Sequence, residues 1–162
     1  MVAQIISDKF ITWHELEHLI VSPNSVRLSQ TSKKLIKSSN NTLSEILKSG
    51  KKIYGVNTGF GKLSSVSIDK KDIKELQLNL VRSHATGVGK PFDYGVTRLI
   101  MMLKLLTWTK GFSGVSPRLS TLLLNMMNHD ILPIIPRQGS VGASGDLAPL
   151  SHLACSLIGE GD

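Results

Sequence analysis

Cysteine is nearly absent from this chain. Cys155 is the only one in 162 residues, so no disulfide can close within it, and such usage suits a reducing compartment. Aromatic residues supply just 5%, which leaves packing to aliphatic side chains and Met. No apolar run is long enough to cross a bilayer; the longest, Leu99 to Trp108, is interrupted by Lys104. The N-terminus lacks the basic-then-apolar pattern of a secretion signal. A soluble cytoplasmic protein without a membrane partner is expected. Acidic residues are scarce too: 12 Asp and Glu against 19 Lys and Arg, for a net charge of +7. That excess raises nucleic-acid binding as a class. The cations gather at Lys33, Lys34, Lys37, Lys48, Lys51 and Lys52, and again at Lys70, Lys71 and Lys74. These positions fall on polar faces of expected helices, with no aromatic interleaving or zinc-ligand spacing beside them. They read as solvated surface, and no nucleic-acid partner is expected. The five histidines show no metal-ligand spacing, so no metal is expected.

What is present is aliphatic periodicity. Apolar residues make up 41% of the chain, enough for a core at this length. Gln4-Ile5-Ile6 reads as a short strand. Thr12-Trp13-His14-Glu15 has the spacing of a capping box. It opens a helix with Trp13, Leu16, Leu19 and Ile20 on one side, ending near Ser22-Pro23-Asn24. A second helical region runs from about Ser29 to Ser49, with Gly50 as its stop. Ser38-Ser39-Asn40-Asn41 leaves open whether it is continuous, kinked or split. Lys52 to Val56 reads as extended, followed by a loop through Ser67. A third helix spans about Lys70 to Ser83, and a Gly-rich turn follows at Gly87 to Gly89. Helix four, about Asp93 to Trp108, is apolar nearly all round and so expects burial on most faces. Ser116-Pro117 opens helix five, with Pro at its first position. Extended apolar sequence, Ile131 to Pro136, precedes a sixth helix that starts after Asp146 and is still running at Ile158. Cys155 falls among that helix's apolar residues and reads as a buried, inert thiol.

Between the extended stretch and the sixth helix lies Gly139-Ser140-Val141-Gly142-Ala143-Ser144-Gly145-Asp146. Nearly all of these residues are small or permissive. By composition this is a flexible connection. It also holds a tripeptide, Ala143-Ser144-Gly145, able to cyclise on itself. The Gly145 nitrogen would attack the Ala143 carbonyl carbon; a Gly donor has no Cβ in the way and tolerates the unusual backbone angles. Loss of one water closes a five-membered ring. Loss of a second, from Ser144, leaves an exocyclic methylene. The product is an electrophile, whereas standard side chains supply nucleophiles, acids and bases. Asp146 is a natural N-cap, which puts the tripeptide at the positive end of a helix.

Gly-Ser-Val-Gly-Ala-Ser-Gly-Asp-Leu-Ala-Pro-Leu-Ser-His, from Gly139 to His152, resembles the signature of the histidine and aromatic amino-acid ammonia-lyases. Tyr54-Gly55-Val56-Asn57-Thr58-Gly59-Phe60-Gly61 is similar to that family's catalytic-tyrosine loop. Leu78 to Gly89, centred on Ser83-His84, is similar to its substrate-selecting segment. The resemblance covers Lys52 to Asp162; the part before is looser. It implies a mainly α fold. A helical N-terminal lyase domain with a few short strands would occupy residues 1–112, and the start of a long helical bundle would occupy 113–162. It implies that Ala143, Ser144 and Gly145 form a methylidene-imidazolone, with no external cofactor. Tyr54 becomes the base that takes the β-proton of an amino-acid substrate. A phenol titrates near pH 10, so that role asks the site to lower it. Ser83 and His84 become the pair facing the substrate side chain, and Ser-His resembles the histidine ammonia-lyases. Phenylalanine lyases carry an aromatic-aliphatic pair there, and bacterial tyrosine lyases a His in the first position. Some tyrosine aminomutases are also similar to this segment.

The implied reaction is elimination of ammonia from an aromatic α-amino acid, L-histidine giving urocanate, by a homotetramer. Tyrosine or phenylalanine lyases and aminomutases are the alternatives. The family's chains are much longer, and its carboxylate-binding arginine and second tyrosine lie downstream of this stretch. A truncated lyase with an incomplete site is therefore expected, or else a non-catalytic interaction fragment. Other motifs fail on spacing. Gly59-Phe60-Gly61-Lys62 and Gly87-Val88-Gly89-Lys90 lack the first glycine and the following Ser or Thr of a phosphate loop. At Asp146 a nucleophile elbow would need Gly.

Overall fold

The computed structural model describes residues 4–21, 26–59 and 72–161. The expected break at Ser22-Pro23-Asn24, the loop from Phe60 through Ser67 and the third helix's start at Lys70-Lys71 lie outside these residues. Among the described residues the chain is mainly helical, with two short two-stranded ribbons rather than a large sheet.

At the N-terminal end, β1 (Gln4–Ile6) pairs in parallel with β2 (Val26–Leu28). The strand at Val26–Leu28 is a finding that the helical reading missed. Its buried–exposed–buried alternation is the period of a half-covered strand, but three residues give a weak signal. Its outer edge is closed by a side chain: Asn128 Oδ1 accepts from the Val26 amide at 2.8 Å, and Asn128 Nδ2 donates back to the Val26 carbonyl at 3.0 Å. Between the strands runs α1 (Trp13–Val21). Its capping box forms as expected, with the Thr12 amide bonded to Glu15 Oε2 at 2.8 Å and the Glu15 amide to Thr12 Oγ1 at 3.3 Å.

α2 (Gln30–Lys48) is one uninterrupted helix. Ser29 caps it, accepting from the Ser32 amide, and Gly50 ends it at φ +77°. The Ser38-Ser39-Asn40-Asn41 run neither kinks nor splits it, because two of its side chains have partners elsewhere. Ser39 Oγ accepts from the Gly114 amide at 2.8 Å and Asn40 Nδ2 donates to the Gly114 carbonyl at 2.9 Å. Gly114 sits at φ +67°, and a Cβ there would meet Leu43 Cδ2 at 2.7 Å, so a larger residue would be strained and would have to push that side chain aside.

The core is built on α4 (Tyr94–Thr109) and α5 (Pro117–Asn128). Met101, Met102, Leu105, Leu123 and Ile135 are fully buried there, joined by Ile6, Leu19, Val26, Ile36 and Leu153 from the surrounding elements. One charge lies inside: Arg98 is 2% exposed. It donates to the carbonyls of Ile20 and Met127 and to Asp130 Oδ1 at 2.9 Å. A buried guanidinium needs such partners, and here it ties the ends of α1 and α5 to α4. Tyr94 donates to the same carboxylate at 2.6 Å, which pushes the phenol's pKa up.

The remaining elements carry the site. They are α3 (Ile73–His84), β3 (Val88–Pro91), β4 (Pro136–Gln138) and α6 (Leu147–Leu157). β3 and β4 are antiparallel, with Val88 opposite Gln138 and Pro91 opposite Pro136. No turn forms at Gly87 to Gly89: Gly87 leads into β3, and Val88 and Gly89 are its first two residues. No helix of the described residues is long and apolar enough to cross a membrane.

Candidate active site

The tripeptide stretch is a tight exposed turn. Gly142–Ser144 form one turn of 3-10 helix. The Ser144 amide donates to the Val141 carbonyl at 2.9 Å, and the Gly145 amide to the Gly142 carbonyl at 3.1 Å. Such bonds coil the backbone more tightly than an α-helix, which keeps each amide near carbonyls only a few residues back. Gly145 follows at φ +86°, with nothing within 4 Å of where a Cβ would project. That left-handed conformation is costly for any other residue. Asp146 is also left-handed, at φ +54°. It occupies the N-cap position of α6, but its side chain makes no capping bond. Instead its carboxylate accepts from the Ser140 hydroxyl across the turn. The expected cap is thus a loop clasp, and the carboxylate is spent on the other side of the tripeptide. Pro149 lies buried in the first turn of α6, where its missing N–H leaves no gap.

Ser83 and His84 end α3. His84 Nδ1 lies 2.7 Å from the Leu80 carbonyl. A carbonyl can only accept, so Nδ1 carries the hydrogen and the tautomer is set. The Ser83 hydroxyl donates to the same carbonyl at 3.1 Å. Three residues on, the Gly87 amide donates to His152 Nε2 at 3.0 Å. A Cβ on Gly139 would lie 3.0 Å from Gly87 Cα, and one on Gly87 would lie 3.0 Å from His152 Nε2. The two glycines let β3, β4 and α6 meet. At the far end of α6, Arg82 grips Glu160 with two bonds, Nε to Oε2 at 2.7 Å and a second between Nη2 and Oε1. This pairing holds the Glu160 carboxyl below its usual range. Cys155, beside it, is buried, and burial pushes its thiol up. An inert thiol follows, as the sequence suggests.

Tyr54 stands on a turn rather than an extended segment. Residues Tyr54–Asn57 coil because the Val56 and Asn57 amides both return to the Ile53 carbonyl. Asn57 is buried and enforces this: Oδ1 accepts from the Ile53 amide at 2.7 Å and Nδ2 donates to the Lys51 carbonyl at 2.9 Å. Gly55 takes φ +69°. Gln77 of α3 then donates to the carbonyls of Gly55 and Val56 at 3.1 and 3.0 Å. The Tyr54 ring is 64% exposed.

The structure therefore gathers all three sequence segments around α3. Gln77 holds the Tyr54 turn, the helix end presents Ser83-His84, and Arg82 and Gly87 hold α6, whose N-terminus carries the tripeptide. Gln77, Arg82, His152 and Glu160 escape a sequence reading, since each makes bonds whose partners lie far along the chain. Among the described residues no group of His, Cys, Asp and Glu could hold a metal.

A sequence profile of the family described as aromatic amino acid lyase matches residues 11–162. Histidine ammonia-lyase from Bacillus cytotoxicus is 47% identical over 152 residues, which is 94% of this chain and 30% of that protein. Tyrosine aminomutase from Streptomyces globisporus superposes with a TM-score of 0.91 at 37% identity, over 99% of this chain and 30% of that one. Histidine ammonia-lyase from Trypanosoma cruzi does so with a TM-score of 0.86 at 32% identity, over 99% of this chain and 30% of the other. The chain spans about a third of the length of the relatives it matches.

Proposed function

The chain belongs to the aromatic amino acid lyase family, and from that premise we propose that the protein eliminates ammonia from L-histidine to give urocanate. The observation that carries this reading is the Gly142–Ser144 turn in front of α6, a helix that His152 ties to Gly87, three residues past the Ser83-His84 helix end. Ala143, Ser144 and Gly145 fit a methylidene-imidazolone. The turn is tight, Gly145 is left-handed, and the space around Gly142 and Gly145 is open. When formed, that group supplies the electrophile for the substrate amine.

The chain's own residues do the rest. Tyr54 stands on a turn whose backbone is fixed by Asn57 and Gln77, and its phenol oxygen is the base for the β-proton. Ser83 and His84 offer a hydroxyl and an imidazole of set tautomer, suited to a polar heteroaromatic side chain. The N-terminus of α6 favours negative charge beside the turn. Exposed Val96, Leu103, Leu122 and Phe112 supply apolar surface for a homo-oligomer, a tetramer on the family's pattern.

The likeness to tyrosine aminomutase favours a second reading, in which the amino group is moved to the β-carbon. Incubating the purified protein with L-histidine, L-tyrosine and L-phenylalanine separates the two. Ammonia and urocanate from histidine are expected. A β-amino acid without free ammonia would establish the second reading, and no product from any of the three would favour a non-catalytic fragment over both.

A further inference from the structure

We propose that His152 is a positioning residue for substrate selection: its Nε2 takes the Gly87 amide and so fixes the segment just past the Ser83-His84 helix end on α6, the helix that follows the Ala143-Ser144-Gly145 turn. The proposal rests on the lyase reading above. His152 lies in the middle of α6, away from the tripeptide but on the helix that follows it directly. Its Nε2 accepts the Gly87 amide at 3.0 Å, across 65 positions of sequence. Accepting there requires a neutral imidazole with its hydrogen on Nδ1.

That bond has a place no other bond covers. No residue of α3 is fully buried; Leu80 and Val81 near its C-terminal end are only half-buried, so non-directional apolar packing leaves room for a hydrogen bond to set how that end sits. The helix is finished by Ala85, whose amide returns to Val81 and Arg82. Only Thr86 then separates the cap from Gly87. Beyond Gly87, β3 is exposed along its whole length, and its pairing with β4 is irregular between Val88 and Pro91. The Arg82–Glu160 pair holds the other end of α6, but both side chains are about half exposed, and such pairs contribute little. The His152 bond is the half-buried, directional link between the segment that would read the substrate and the helix that begins at the electrophile turn. Gly87 and Gly139 bring the backbones close enough for it.

Two variants of the chain test this: His152→Leu, which keeps bulk and removes the acceptor, and His152→Gln, which keeps an acceptor oxygen. The first readout is hydrogen exchange at the Gly87 amide, which needs no activity. We expect exchange at least about fivefold faster in the Leu variant, the worth of about one hydrogen bond, and near-native exchange in the Gln variant. The second is steady-state turnover of L-histidine. KM should rise about five- to tenfold in the Leu variant, with kcat and the two-water mass loss little changed, and the Gln variant should restore KM. A purely structural role would lower folded protein and ring content and leave KM alone. Unchanged exchange and unchanged KM in the Leu variant would overturn the proposal. If the Leu variant does not fold, a Gln variant with native fold but fast Gly87 exchange overturns it as well. Native protein that shows no turnover while Gly87 exchange responds as expected would count against the lyase reading and not against the bond.

Discussion

Helices α4 and α3, of 16 and 12 residues, are held in different ways. α4 buries Thr97, Arg98, Met101, Met102, Leu105, Leu106, Trp108 and Thr109. α3 buries nothing. It is fixed by Gln77 on one loop, by Arg82 on Glu160, and by the Gly87–His152 bond just past its end. Burial of apolar surface is strong but has no direction, and each fully buried Leu or Met contributes about 1.5–3 kcal/mol. A hydrogen bond contributes about 1 kcal/mol net but specifies an angle and a distance. The division makes sense for a site. The core around α4 supplies the free energy that keeps the chain folded, and the polar contacts of α3 and of Gly87 set where the Tyr54 turn and the Ser83-His84 helix end stand relative to α6.

The sharpest separation of the two regions comes from Ser144→Ala. Ser144 is exposed and its hydroxyl bonds to the Val141 carbonyl. Ammonia release should fall to background while thermal unfolding stays within about 0.5 kcal/mol of the native protein. Leu105→Ala should do the reverse. It empties a fully buried site and should cost about 2–5 kcal/mol in urea unfolding, with normal ring content in the protein that remains folded. Activity loss without stability loss in the Leu105 variant would erase the distinction.

Gln77→Leu is a milder test on the α3 side. Two carbonyls of the Tyr54 turn lose their donor. Stability should drop by about 1 kcal/mol, while kcat falls several-fold because the base is no longer held. Equal loss from Gln77→Leu and from an exposed α3 variant such as Lys74→Gln would show that the tether does nothing special.

The smallest effect concerns acid. Glu160 titrates below its ordinary range because Arg82 hydrogen-bonds it. A lowered carboxyl stabilises the fold above its unfolded value, near pH 4.3, and that contribution is lost as pH falls through the folded value. Arg82→Met should return the Glu160 titration toward the ordinary carboxyl value, visible by NMR. It should hardly move the unfolding midpoint near neutral pH, since the pair is exposed.

Much of this was readable from residues. The apolar stripes of α4 and α5, the Thr12 capping box and Pro117 at a helix start are local signals, and local signals survive folding. The tripeptide, Tyr54 and Ser83-His84 were visible as motifs. What stayed hidden depends on distant partners. Lys-Ile-Tyr-Gly-Val looks extended by propensity, yet the Asn57 amide winds it into a turn. Val88-Gly89-Lys90-Pro91 shows no alternation, and it becomes a strand only because β4 lies alongside. Arg98 carries the mark of a surface residue but is buried by three acceptors from α1, α5 and the loop after it. A lone histidine inside α6 says nothing of Gly87.

If Ala143-Ser144-Gly145 forms the electrophile, the purified, folded chain carries the evidence in its intact mass. That mass should be short by two waters, mapping to the peptide that contains the tripeptide, and a Ser144→Ala chain should be unable to lose the second. A folded chain of unmodified mass would contradict ring formation.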